Sequence, residues 1–79
     1  MRMTHLRRSI VNELSEEPLT ADQLRRKLGH TNLKSIMVSL KSMVKRGALD
    51  FEYRDVVDKA GKPRSLRFYT VAEDFDEYA

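Results

Sequence analysis

The chain has no cysteine and no tryptophan, and only two prolines and three glycines among 79 residues. Each scarcity removes something. Without cysteine there is neither a disulfide to staple a small secreted fold nor a thiolate to hold zinc. No apolar run approaches the ~20 residues of a membrane span, and the start MRMTHLRRS lacks a signal peptide's hydrophobic segment. The expectation is a soluble, cytoplasmic protein with no membrane partner. With 34% charged and 41% hydrophobic residues, the composition is that of a folded domain, not a disordered one. Catalytic sets are missing too. His5 and His30 stand far apart with no carboxylate at ligand spacing, and no glycine-rich phosphate loop or nucleophile–base arrangement is visible. No enzyme, metal site or small-molecule cofactor is expected.

Acidic residues are scarce except at one end. The formal charge is +3, but residues 72–79, AEDFDEYA, hold four acids and no base. Residues 1–71 therefore carry fifteen basic against eight acidic side chains, a net +7. A basic body with an acidic C-terminal tail suits a polyanionic partner. The division expected is one domain over 1–71 and a tail over 72–79.

What is present is helical periodicity, then a change of period. Met3, Leu6, Ile10, Val11 and Leu14 form an i, i+3, i+4 stripe that predicts a helix over about 4–15. Pro18 stops it. Thr20 and Gln23 have the spacing of a capping box, and Leu19 and Leu24 that of a hydrophobic staple, so a second, two-turn helix starts there. Gly29 offers a left-handed close. Thr31 or Asn32 can cap a third helix, KSIMVSLKSMVKRG, that stops at Gly47. Its inward face is Ile36, Leu40, Met43 and Val44, with Leu33 a turn earlier. Lys34, Val38, Lys41, Ser42 and Lys45 fall on the other face.

From Leu49 the period is two. Leu49, Phe51 and Tyr53 alternate with Asp50, Glu52 and Arg54, which predicts a strand. SLRFYTVA supplies a second, with Leu66, Phe68 and Thr70 on one face and Arg67, Tyr69 and Val71 on the other. Gly61 and Pro63 in DKAGKPR give turn chemistry between them, so the pair reads as an antiparallel hairpin. Alternation assigns at least half of Phe51, Tyr53, Phe68 and Tyr69 to a core. The fold class expected is α+β, three helices followed by a two-stranded antiparallel β-hairpin.

The segments LTADQLRRKLG, IMVSLKSMVKRGALDF, DKAGKPRS and LRFYTV, in that order, resemble the winged helix-turn-helix superfamily over about residues 4–71. Leu19, Thr20, Leu24, Leu28, Gly29, Ile36, Leu40, Met43, Gly47 and Leu49 occupy the pattern's positions. Two features depart from it: Arg25 stands where a small alanine is common, and the turn GHTNLKS is about one residue longer than usual. The resemblance implies a three-helix domain with a C-terminal hairpin wing, acting as a small prokaryotic or viral DNA-binding transcriptional regulator. Its third helix would enter the major groove, and its wing would touch backbone or minor groove.

Carried over by position, the DNA-binding candidates are Lys34, Ser35, Val38, Lys41, Ser42 and Lys45 on the third helix. Lys59, Lys62 and Arg64 are the candidates at the wing tip. Lysines suit phosphates, serine bonds almost any base edge, and Val38 can touch a thymine methyl. Arg25 and Arg26 are further backbone candidates, whereas Arg7 and Arg8 read as surface charges. Arg67 has Glu52 or Asp50 as its candidate partner across the hairpin. The partner expected is double-stranded DNA, with a homodimer left open. The alternative is a protein-interaction module of the same fold that does not bind DNA, in which Met37 and Val38 form the contact patch. Stacking of single strands on the hairpin aromatics is a third option.

Overall fold

Each helix begins where a side-chain oxygen can satisfy a free amide. The computed structural model describes residues 4–29 and 32–73, and its first helix, α1 (His5–Leu14), is capped by the Thr4 side chain, which accepts from the Arg7 amide. The helix α2 (Ala21–Leu28) opens on the reciprocal box. Thr20 Oγ1 accepts from the Gln23 amide, and the Thr20 amide donates to Gln23 Oε1. Of the two candidate caps for α3 (Leu33–Lys45), Asn32 fills the role, its Oδ1 accepting from the Ser35 amide at 2.8 Å.

Helix ends follow the same accounting. The Ala48 amide donates to the Met43 carbonyl and the Gly47 amide to that of Val44, the paired bonds of a Schellman close. Gly47 supplies the positive φ, +80°, that this geometry needs. The helix proper ends at Lys45, one turn residue earlier than the glycine suggests. Gly29 also has positive φ, but its ψ of −99° lies outside the left-handed helical well.

The core is small and apolar. Ile10 and Leu14 of α1, Leu19, Leu24 of α2, Ile36, Leu40 and Met43 of α3, Ala48, and Leu49 and Tyr69 of the hairpin make one buried cluster. No described polar or charged residue is buried with them. Leu33 departs from its expected inward position: it is 38% exposed, because the first turn of α3 overhangs the core on the flank that faces the hairpin.

The strands β1 (Leu49–Val57) and β2 (Pro63–Val71) pair antiparallel from Leu49↔Val71 to Val57↔Pro63. The register answers which face of β2 points inward. Leu49, Phe51 and Tyr53 share a face with Val71, Tyr69 and Arg67, so Tyr69, not Phe68, enters the core. Of the four aromatics assigned by halves to the core, only Tyr69 is buried. Leu19 fixes this choice. Its amide and carbonyl both bond those of Tyr69, so the segment between α1 and α2 lies as a one-residue strand on the outer edge of β2. The hairpin is anchored at its base, and residues 50–55 and 63–67 are exposed. At the tip, Asp58 organises the turn by accepting from the amides of Ala60 and Lys62, each at 2.9 Å; Gly61, with φ +79°, completes it. Past β2, Ala72 is buried and donates to the Ala48 carbonyl. The remaining tail, residues 74–79, and His30 lie outside the described residues.

Candidate nucleic-acid interface

The face of α3 opposite the core is fixed by the three buried residues Ile36, Leu40 and Met43. Their burial turns Lys34, Ser35, Val38, Lys41 and Lys45 to solvent, with Val38 62% exposed. The helix contains no acidic residue. None of its three lysines has an ion-pair partner among the described residues. Ser42 behaves differently. It is half-buried, and its Oγ accepts from Arg7 Nη2 at 3.1 Å, which ties α1 to α3. Arg7 is therefore a clamp on the flank of the helix rather than a bare surface charge. A shallow depression bounded by Val38, Lys41, Ser42, Lys45 and Arg46 runs along the lower half of the face. Arg46 was missed in the sequence because it follows the last helical turn; extending the helical spacing one step past Ser42 finds it.

At the hairpin, Lys59, Lys62 and Arg64 are exposed and unpaired among the described residues. The structure does not gather all three against α3. Arg64 lines a cleft of about 690 Å³ with Thr20, Arg26, Met37, Leu66 and Arg67, whereas Lys59 and Lys62 stand at the tip. The cleft has an apolar floor that includes Leu33 and Met37 and a rim of arginines. Met37, 54% exposed, belongs to this flank rather than to the lysine face.

Arg67 does not pair with Glu52 or Asp50, because the register puts those carboxylates on the opposite face. Its Nη2 donates to the Tyr53 hydroxyl at 2.7 Å, and its guanidinium lies 4.4 Å from the centre of the Phe51 ring and 5.3 Å from that of Tyr53. The hydrogen bond with Tyr53, followed by that with Tyr69, pushes its pKa up, so it stays cationic. On the other face Glu52 pairs with Arg54, whose guanidinium covers Phe68.

The arginines of α2 are engaged. Asp22 Oδ1 takes Arg25 at 2.9 Å and Oδ2 takes Arg26 at 3.0 Å. The Arg25 hydrogen bond is the main reason the Asp22 carboxyl titrates below its ordinary value. Lys27 reaches back to Glu17, whose hydrogen bond raises the lysine's pKa. Among the described residues no group of three or more acidic, histidine or cysteine side chains could hold a metal ion. No described helix is long and apolar enough to cross a membrane. His5, the first residue of α1, is exposed.

Compared with family models, curated proteins and solved structures, the chain matches none.

Proposed function

We propose that this protein is a small DNA-binding transcriptional regulator of the winged helix-turn-helix kind. In this reading α3 enters the major groove and the hairpin lies on backbone or minor groove. One observation carries the reading: the solvent face of α3 presents Lys34, Lys41 and Lys45, with no acid on the helix and no ion-pair partner among the described residues. A solvated face that served only solubility gains from mixed signs and i, i+4 pairs; this one forgoes both. A duplex major groove, ~12 Å wide, admits one helix, and flanking lysines reach its phosphates.

The order of elements, with Leu19 bridging to β2, and the hairpin beside the start of α3 support the same arrangement. Base readout is modest, because Ser35 and Val38 are the base-facing groups and α3 has no arginine for a bidentate guanine contact. Backbone contacts then dominate affinity. The test is fluorescence anisotropy of labelled random-sequence duplex at low salt, with Lys41→Ala alongside. Saturable duplex binding that weakens in the variant is expected; identical binding by parent and variant would remove α3 from the interface.

A second reading, a protein-interaction module, draws on the cleft floored by Leu33, Met37 and Leu66. Under that reading Met37→Asp abolishes partner capture, while duplex binding is absent in the parent.

A further inference from the structure

The outer edge of β1 has a backbone pattern that fits a second copy of itself. The Ala72 amide bonds the Ala48 carbonyl and the Asp58 amide that of Lys62. Pro63, opposite Val57, has no amide to give. Even-numbered residues of β1 therefore bond to β2. The amides and carbonyls of Phe51, Tyr53, Asp55 and Val57 point the other way, where no strand lies among the described residues.

This edge is long and unbulged. The strand LDFEYRDVV runs nine residues with no proline or lysine, and its guards are the charges of Asp50, Glu52, Arg54 and Asp55, which oppose pairing only where like meets like. The outer hairpin also has no core behind it, since residues 50–55 and 63–67 are exposed. A two-stranded ribbon of that kind is marginal alone and gains from added strands.

We propose that two copies pair antiparallel through β1, centred on Tyr53 opposite the partner's Tyr53, to make a continuous four-stranded sheet. The charges select this register by excluding the others, although Glu52 and Arg54 are already paired with each other within each copy. Bonding requires odd residues opposite odd residues. Centring on Tyr53 sets Glu52 against the partner's Arg54 twice, Phe51 against Asp55, and Asp50 against Val56. Sliding by one bonded step sets Glu52 against Glu52 or Arg54 against Arg54. Sliding by two sets Glu52 against Asp50 or Asp58. Parallel in-register pairing places every charge against itself. Like charges directly opposite destabilise a sheet, and opposite ones support it. Of these arrangements only the Tyr53-centred one has no like-charge opposition.

The assembly closes as a twofold dimer because the same edge is used by both copies; on the other side of the sheet Leu19 bridges to Tyr69 of β2. Lys59, Lys62 and Arg64 lie beyond the paired residues 49–57. The dimer is read without nucleic acid and stands apart from the DNA proposal.

Sedimentation of the full chain tests it, with two charge reversals. Glu52→Arg sets two arginines against the partner's Arg54 residues, and Arg54→Glu sets two acids against the partner's Glu52 residues. The parent should approach twice the 9.2 kDa chain mass as concentration rises to about 100 μM. Each reversal alone should weaken self-association about tenfold, and an equimolar mixture of the two should restore it as a heterodimer. Amide exchange of the parent gives a second readout that needs no variant: Phe51, Tyr53 and Asp55 should exchange more slowly as concentration rises, while Glu52 and Arg54 do not change. A monomeric parent, reversals that dimerise like it, a mixture that fails to recover, or odd-numbered amides indifferent to concentration would each overturn the proposal.

Discussion

Two neighbouring helices carry the same sign of charge and are set up for different ends. On α2, Arg25 and Arg26 share the carboxylate of Asp22, and Lys27 holds Glu17. On α3, Lys34, Lys41 and Lys45 have no such partner among the described residues, and the helix has no acid of its own. A count of basic residues ranks the helices alike, whereas pairing separates them. Paired surface charges contribute little to an outside partner until their own bonds are broken. Unpaired lysines release counterions directly when they meet phosphate.

The largest effect should come from breaking what orients the lysine face. Leu40 is fully buried at the middle of α3, and truncating such a leucine costs about 2–5 kcal/mol. A domain of this size has about 4–12 kcal/mol in total. Leu40→Ala should therefore lower the denaturant midpoint by a large fraction. An unchanged midpoint would mean that the inward face has been misplaced by a rotation of the helix.

Removing the unpaired charges leaves the fold intact and strikes binding. Replacing Lys34, Lys41 and Lys45 with alanine should weaken duplex binding about a hundredfold near 0.1 M salt, with thermal stability preserved. The matching Arg25→Ala, Arg26→Ala variant should cost much less, which is the comparison in its most direct form. Equal losses in an anisotropy titration would erase the distinction between the helices.

The hairpin tip should fall between these. Alanine at Lys59, Lys62 and Arg64 should reduce affinity similarly across sequences and flatten the salt dependence by about one unit per lost phosphate contact. The turn should survive, because the Asp58 carboxylate holds the Ala60 and Lys62 amides rather than either side chain. Unaltered binding at every salt concentration would take the hairpin out of the interface.

The smallest effect sharpens the contrast. Asp22→Asn frees Arg25 and Arg26, so duplex binding should tighten slightly as stability drops slightly. The sign with pH follows from the lowered carboxyl pKa. The contribution of Asp22 is fully present above the unfolded value of about 3.9, and is lost as pH falls through the folded one. A melt of the asparagine variant should accordingly show less loss between neutral and acidic pH than the parent.

Much of the fold was legible in the sequence for local reasons. Thr20 and Gln23 mark the start of α2 through spacing alone, and the burial of Ile36, Leu40 and Met43 follows from a 3.6-residue period. The facing of β2 was not legible. Leu66 and Phe68 on one face and Tyr69 and Val71 on the other are both apolar, so alternation cannot choose between them. Buried Leu19, some fifty residues away in the chain, pairs with Tyr69 and shares its inward face, while the β1–β2 register separates Arg67 from Glu52 and Asp50. In the candidate site, the exposed lysines could be read from the helix period, but Ser42 could not, because its partner Arg7 comes from another helix. The Asp22 pairs lay at i, i+3 and i, i+4, within reach of a sequence reading that weighed charge pairing as well as charge count.

The salt dependence of duplex affinity tests the DNA reading most directly. If α3 and the hairpin neutralise roughly four to six phosphates, log affinity should fall against log salt with a slope of about −4 to −5. No detectable duplex binding at low salt, or binding indifferent to salt, would contradict it.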